Sequence, residues 1–127
     1  MIYLDTNYLI RALVPQSLES KKISQWLSEG HLFTTSTISW YEFLCGPVTE
    51  KEITLVQALL GSRISSFNEN HASAASRLFN QIGRPRKLRI DTMIAAVALV
   101  EGYQLATSNL RDFERFHPYG LKLLPAT

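Results

Sequence analysis

Four carboxylates of this chain lie beside apolar segments, and they are the residues best suited to chemistry. Asp5 follows an apolar tripeptide, Asp91 opens a long apolar segment, and Asp112 directly precedes a phenylalanine. Glu42 stands among aromatic and aliphatic residues. Holding a carboxylate next to a protein core costs on the order of several kcal/mol unless an opposite charge or a metal ion offsets it. The pattern therefore predicts that the acids gather around a cation.

Each acid taken alone also has a structural interpretation. Asp5 and Asp91 are of a type that often caps the start of a helix, and Asp112 would interact favourably with the dipole of a first helical turn. Glu42 has no such local role, because it lies in the middle of a predicted helix. A structural role for any single aspartate stays open, whereas the set of four acids favours a cation site.

Oxygen-only ligands indicate which cation to expect. Mg²⁺ and similar hard ions prefer carboxylate oxygens and usually keep several waters. Such an ion can activate a water for attack on a phosphate ester and neutralise the charge that develops. Other sites are not favoured, since the three histidines share no zinc-binding spacing and no glycine-rich phosphate loop occurs.

Four basic residues lie within a short segment just before Asp91. They are Arg84, Arg86, Lys87 and Arg89. The glycine and proline among them predict a loop. A basic loop next to an acidic site suggests that the protein holds the backbone of a polyanion such as RNA. A solvated connector is the alternative interpretation of the same segment.

The composition is that of a single globular domain, expected over residues 1–127. Hydrophobic residues make up 46% and charged residues 19% of the chain, which suffices for a buried core. No apolar run reaches the roughly 18 residues that a membrane span needs, and no secretory signal is visible. The single cysteine, Cys45, fits a reducing compartment, and we expect its side chain in the core. These features predict a cytoplasmic protein that does not insert into a membrane.

Apolar runs and helical periodicity alternate along the chain. Strands are expected at about residues 2–4, 31–35, 63–67, 103–107 and 121–124. Helices are expected from residue 6 or 7 to 13, over 17–29, 36–45 and 50–60, from residue 68 or 70 to 82, and over 91–101 and 109–116. This order predicts an α/β fold with a parallel sheet covered by helices on both faces. Asp5 follows the first strand, while Asn109 and Asp112 follow the fourth, so all three are expected at one edge of the sheet.

The segments that carry the acids resemble the PIN-domain family, and most closely its VapC-like toxins. The matching segments are Leu4–Asn7, Tyr41–Phe43, Asp91–Ala96 and Leu105–Phe113, and the resemblance extends over essentially the whole chain. It implies a three-layer α/β/α sandwich with a central, mainly parallel sheet. It also implies a Mg²⁺- or Mn²⁺-dependent ribonuclease that acts as the toxin of a bacterial toxin–antitoxin pair.

The same resemblance assigns roles to individual residues. Asp5 and Asp91 would be the principal metal ligands, and Glu42 would be the third acid of the catalytic pocket. The fourth position has two candidates, the neutral Asn109 and the carboxylate of Asp112. If Asn109 fills it, the site has one charge fewer and would hold a metal weakly; if Asp112 turns inward, four acids are present.

Two hydroxyl residues and two kinds of partner complete the expectations. Thr6 and Ser108 could hold waters or a phosphate oxygen, or only cap helices. By resemblance, a small antitoxin would bind across the acids, and the toxin would form a homodimer. The predicted helix over residues 50–60 is a candidate dimer surface, with core packing as its alternative role.

Two further functions remain open at this stage. Because Asn109 is neutral, the chain could be a catalytically weak PIN fold that works as an RNA-binding or partner-binding module. A DNA nuclease would use the same metal site. The sequence does not distinguish these functions from RNA cleavage.

Overall fold

The computed structural model describes residues 1–124, and the last three residues lie outside this range. The described residues form five strands: Ile2–Leu4 (β1), Phe33–Ser36 (β2), Ile64–Ser65 (β3), Gln104–Ala106 (β4) and Lys122–Leu123 (β5). The α-helices are Thr6–Arg11 (α1), Leu18–Ser28 (α2), Thr37–Leu44 (α3), Glu50–Leu60 (α4), Glu69–Gln81 (α5), Arg89–Glu101 (α6) and Leu110–Phe113 (α7). Two 3₁₀ segments cover Arg86–Leu88 and Glu114–Tyr119. The predicted alternation of strands and helices is confirmed.

All five strands run parallel in a single sheet. Their order is β3-β2-β1-β4-β5, so β1 lies in the centre between β2 and β4. Ile2 pairs with Phe33 on one side, and Leu4 pairs with Ala106 on the other. The carboxyl ends of β1 and β4 therefore meet at the same edge of the sheet.

Side chains of the central strand alternate between two hydrophobic cores. Ile2 and Leu4 pack with buried residues of α1, α2, α3 and α4 on one face. Tyr3 packs on the other face with buried residues of α5, α6, α7 and the 3₁₀ segment that follows. Helices thus cover both faces, which confirms the three-layer α/β/α architecture.

The start of α6 differs from the sequence prediction, whereas α1 begins at Thr6 as expected. Asp5 caps α1, since its backbone is still extended and its carboxylate accepts the N–H of Thr6. α6 begins at Arg89, ahead of Asp91, because the 3₁₀ turn before it has already wound the chain. Asp91 therefore lies in the first turn of α6 and does not cap it.

The structure bears on two expectations, the role of the apolar side of α4 and the burial of Cys45. The apolar side of α4 is used by the core, since Val56 and Leu60 are buried and Ile53 packs against them. This favours core packing over a dimer surface for that side of the helix. The expected burial of Cys45 is wrong: it is exposed because it caps the end of α3, beyond the buried side of that helix. No helix among the described residues is long and apolar enough to span a membrane.

Leu4 provides a test of the central strand. Leu4 is 0% exposed, so Leu4→Ala leaves a cavity between β1 and the helices on that face and should lower the free energy of unfolding by about 2–5 kcal/mol. Leu27→Ala is the matched control, because Leu27 is 51% exposed and its loss should cost less than about 0.5 kcal/mol. Urea unfolding measures both, and equal losses would contradict this description of the core.

Candidate functional site

Asp5 lies where the chain leaves β1 and enters α1. Because Leu4 pairs with Ala106 of the parallel neighbour β4, the residues that follow the two strands lie side by side. The carboxylate of Asp5 is buried and is held at both oxygens. Its Oδ1 accepts the N–H of Thr6 at 2.8 Å, and its Oδ2 accepts the hydroxyl of Thr107 at 2.7 Å.

Glu42 reaches the same edge of the sheet from the middle of α3. Its side chain is half-buried, and its Oε1 accepts the hydroxyl of Thr6 at 2.7 Å. Thr6 thus contacts two acids, Asp5 through its backbone and Glu42 through its side chain. The hydroxyl of Thr6, for which holding a water or phosphate oxygen and capping a helix were the two interpretations, donates to Glu42 instead.

Both candidates for the fourth position lie together after β4. Asn109 donates from its side-chain amide to Oδ2 of Asp112 at 3.0 Å, and its backbone N–H donates to the hydroxyl oxygen of Thr107 at 3.0 Å. Asp112 is half-buried in the first turn of α7. In this arrangement the neutral amide of Asn109 orients the carboxylate of Asp112.

Asp91 completes a group of four acids, called here the acid cluster: Asp5, Glu42, Asp91 and Asp112. The pKa of Asp91 is raised from 3.8 to about 6, first by burial and then by the negative charges of Asp5, Asp112 and Glu42. Burial also raises the pKa of Asp5, and the charge of Glu42 adds to that effect, although the two hydrogen bonds to Asp5 act in the opposite direction. Asp91 is therefore close enough to the other three acids for their charges to act on it, and Asp5 is close enough to Glu42.

No basic side chain among residues 1–124 neutralises the acid cluster. The salt bridges of this region join Arg11 to Glu19, His31 to Glu29 and His71 to Glu101. The side-chain donors that reach the cluster are the hydroxyls of Thr6 and Thr107 and the amide of Asn109. These groups are neutral, so they orient the carboxylates without cancelling their charge.

A hydrated divalent cation fits this donor set. Within the described chain, no three side chains of His, Cys, Asp or Glu lie close enough to bind one ion directly. The acids nevertheless interact electrostatically, since the charges of the other three contribute to the raised pKa of Asp91. Mg²⁺ keeps several of its waters and is often bound through only one or two carboxylates. Direct contacts from Asp5 and Asp91, with the other acids acting through water, therefore suit Mg²⁺ or Mn²⁺.

Buried hydroxyls surround β1 near the acids. The phenol of Tyr3 donates to the hydroxyl of Ser36 at 2.6 Å, and burial is the main reason why its pKa is raised. Among the described residues, the buried hydroxyl oxygen of Ser39 has no hydrogen-bond partner. These groups are uncharged, so they also leave the negative charge of the acid cluster uncompensated.

The basic segment, predicted as a loop, is a loop at Arg84, a 3₁₀ turn at Arg86 and Lys87, and the first residue of α6 at Arg89. Two of these residues are engaged locally. Arg84 donates from Nε to Oδ1 of Asn80 at 2.5 Å. The guanidinium of Arg89 lies over the ring of Phe79, 5.8 Å from its centroid. Both contacts direct these side chains toward α5.

The other two basic residues remain available. Arg86 and Lys87 are exposed on the 3₁₀ turn, and their side chains form no hydrogen bond or ion pair with any residue in the range 1–124. A polyanion could therefore contact Arg86 and Lys87 without breaking an existing interaction.

Sequence reasoning missed two residues of this region. Thr107 holds both Asp5 and the backbone of Asn109, and its signal was its position as the first residue after β4. Glu19 accepts the hydroxyl of Ser108 at 2.5 Å, so that hydroxyl faces α2 instead of the acid cluster. Nothing in the local pattern of α2 indicated this contact.

Comparison with known proteins gives one family and several structures. Residues 2–117 match the family model described as PIN domain. No curated protein matches the sequence. Among solved structures, a chain of FitAcB from Neisseria gonorrhoeae is similar at 21% identity and a TM-score of 0.73, and the match covers 99% of this chain and 98% of that chain.

Two further structures show the same fold. A toxin–antitoxin complex from Klebsiella pneumoniae matches at 21% identity and a TM-score of 0.74, over 100% of this chain and 98% of that chain. VapBC-1 from nontypeable Haemophilus influenzae matches at 25% identity and a TM-score of 0.69, over 99% of this chain and 98% of that chain. With a family model matched over nearly its full length and the acids gathered at one edge of a parallel sheet, the chain belongs to the PIN domain family.

Proposed function

We propose that this PIN domain is a Mg²⁺- or Mn²⁺-dependent endoribonuclease that hydrolyses RNA phosphodiester bonds in the cytoplasm as the toxin of a VapBC-type toxin–antitoxin pair. The acid cluster is the observation that supports this most strongly. Four carboxylates from separate segments converge, and within residues 1–124 no basic side chain pairs with them. Repulsion between these carboxylates does not stabilise the fold, whereas their uncompensated negative charge is what a cation-dependent reaction requires.

The residues of the acid cluster have different proposed roles. A bound Mg²⁺ or Mn²⁺ would supply an activated water and positive charge for the phosphate oxygens. Asp5 and Asp91 would hold the ion. An ionised carboxylate accepts about four hydrogen bonds or metal contacts, so Asp5 retains capacity beyond its two hydrogen bonds.

Glu42 and Asp112 have the supporting roles. Thr6 fixes one oxygen of Glu42, which leaves the carboxylate oriented to accept a proton from the attacking water as a general base. Asn109 fixes one oxygen of Asp112 in the same way. Asp112, rather than Asn109, would therefore provide the charge of the fourth position.

A catalytically weak PIN fold that binds RNA or a protein partner is the alternative function. The neutral Asn109 is the observation in its favour, because an acid at that position would add a charge to the site. The contact between Asn109 and Asp112 weakens this argument, since the amide supports a neighbouring carboxylate. RNA binding without cleavage in the presence of Mn²⁺ would support the alternative.

A small antitoxin is the proposed protein partner, bound so that a basic side chain reaches the acid cluster. Such a charge would relieve the same repulsion that a metal ion relieves. Asp5 caps α1, and apolar residues near the end of α1, in the turn that follows and at the start of α2 are exposed: Ile10, Leu13, Val14 and Leu18. An apolar antitoxin segment on this surface would lie beside the cluster.

We also propose a homodimer. The apolar side of α4 is buried in the core, which leaves Leu55 exposed on that helix. Tyr41 and Leu44 are exposed on the preceding helix α3. These residues are the candidates for contact with a second copy of the chain.

Cleavage of RNA tests the proposed activity. Purified protein should cut RNA with Mg²⁺ or Mn²⁺ and stop on addition of EDTA. Asp5→Asn and Asp91→Asn should each cost more than the roughly 10–100-fold that is typical of residues which only orient a metal ligand. Glu114→Gln, an exposed acid in the 3₁₀ segment after α7, is the control and should cut at the parental rate. Parental activity in both aspartate variants would disprove the site assignment, and cleavage of DNA in preference to RNA would disprove the substrate class.

Unfolding of the metal-free protein tests the repulsion between Asp91 and the other acids of the cluster. The pKa of Asp91 is raised in the folded state to about 6, so its ionisation lowers the free energy of unfolding. This loss has its full size above pH 6 and disappears as the pH falls toward 4, where the carboxyl is protonated in the folded state. Asp91→Asn should therefore stabilise the metal-free protein by on the order of 1 kcal/mol at pH 7.5, after allowance for solvent screening. The gain should shrink as the pH falls toward 4, and added Mg²⁺ should stabilise the parent more than the variant. A variant less stable than the parent at pH 7.5 would contradict the repulsion.

Salt dependence tests the basic residues. In an Asp5→Asn background, replacement of Arg86 and Lys87 by alanine should weaken RNA binding and reduce the salt slope by about 0.7 for each phosphate that is no longer neutralised. The preference of the protein for one RNA sequence over another in binding should stay unchanged, because phosphate contacts position a nucleic acid without specifying its sequence. Lys21→Ala with Lys51→Ala removes the same charge from exposed positions on α2 and α4 and should leave the slope unchanged. If the salt dependence of RNA binding has the same slope in both double variants, the basic segment is a solvated connector that does not contact RNA.

A further inference from the structure

Glu19 is a buried carboxylate outside the acid cluster. Its side chain is 9% exposed and lies in the first turn of α2. Burying an unpaired carboxylate is costly, but both oxygens of Glu19 are satisfied. Oε1 accepts Nε–H of Arg11 at 2.9 Å, and Oε2 accepts the hydroxyl of Ser108 at 2.5 Å. Burial alone would raise the pKa of Glu19, but the hydrogen bonds from Ser108 and Arg11 hold it below its usual value.

The contact with Ser108 reaches the loop that supports the cluster. Thr107, Ser108 and Asn109 are consecutive, and each side chain has a different partner. Thr107 donates to Asp5, Ser108 donates to Glu19, and Asn109 donates to Asp112. Because successive residues are joined by planar peptide bonds, anchoring Ser108 restricts how Thr107 and Asn109 can turn.

The other contact of Glu19 leads back to Asp5. Arg11 is the last residue of α1, the helix that Asp5 caps. The turn between α1 and α2 is itself held, since the hydroxyl of Ser17 donates to the carbonyl of Arg11 at 2.9 Å and caps α2. A closed path therefore runs from Asp5 along α1 to Arg11, across Glu19 to Ser108, and through Thr107 back to Asp5.

We propose that Glu19 is a positioning residue for the metal site, acting through Ser108 and Thr107 to hold the carboxylate of Asp5 in its binding orientation. This inference rests on the proposed function, because it assigns Asp5 to a divalent cation. Glu19 itself touches neither the ion nor the substrate. Its own charge is matched by Arg11, so it adds support without adding to the repulsion in the cluster.

Calorimetric titration with Mn²⁺ tests the inference on the metal-free protein. Ser108→Ala removes the hydroxyl from an exposed residue, and it should weaken Mn²⁺ affinity by about tenfold, the lower end of the range for residues that orient a metal ligand. Glu19→Gln should act in the same direction, because it removes the charge that pairs with Arg11 and replaces one of the two accepting oxygens, each of which has its own donor, by an amide group that can only donate. Ser108→Thr keeps the hydroxyl and should restore the parental affinity. Glu29→Gln, at the exposed end of α2, is the matched control and should have no effect.

Thermal unfolding and RNA cleavage separate the outcomes. A structural role alone would lower the melting temperature of Glu19→Gln and leave the Mn²⁺ affinity of both variants at the parental value, which would overturn the inference. A positioning role should raise the Mn²⁺ concentration needed for half-maximal cleavage, with the rate largely recovered at saturating Mn²⁺. Should the parent itself bind no Mn²⁺, the proposed function fails together with the inference; binding by the parent with unchanged variants overturns the inference alone.

Discussion

The parallel pairing of β1 with β4 is the constraint on which the site depends. The two strands end together, with Leu4 opposite Ala106, and the backbone N–H of Asp5 donates to the carbonyl of Ala106 at 3.0 Å. Asp5 and Thr107 consequently leave the sheet side by side, although they are far apart in the chain. A slip of one residue would exchange the two faces of β1, moving Tyr3 into the core of Ile2 and Leu4 and separating Asp5 from Thr107.

The chain treats its buried carboxylates in two different ways. Glu19 has an arginine partner and a hydroxyl, which together satisfy its charge. The acid cluster receives only neutral donors from Thr6, Thr107 and Asn109. The fold therefore pairs a buried carboxylate outside the acid cluster with a basic side chain, whereas residues 1–124 supply none to the cluster. The uncompensated charge at this edge of the sheet supports the proposed cation site.

At Asp91 the effect of the helix dipole is opposed by burial and by the neighbouring acids. The positive end of a helix stabilises an acid in its first turn by typically about 0.3–1 kcal/mol, and Asp91 occupies such a position in α6. Its pKa is nevertheless raised to about 6, so burial and the neighbouring acids outweigh the helix dipole. The repulsion is tolerated because two hydrophobic cores, one on each face of the sheet, hold the elements that carry the acids.

The sequence by itself determined the order of the elements, the parallel sheet with helices on both faces, and the four acids, because apolar periodicity and helix-cap signals act over a few residues. Its partial errors were local as well, such as the end of α1, which was expected at residue 13 and lies at Arg11, and the start of α6. Only the tertiary structure decided that Thr107 holds Asp5, that Glu19 holds Ser108, and that Cys45 is exposed. The contact between Thr107 and Asp5 spans 102 positions of the chain. Such contacts follow from strand pairing and helix docking between distant segments, which no local pattern encodes.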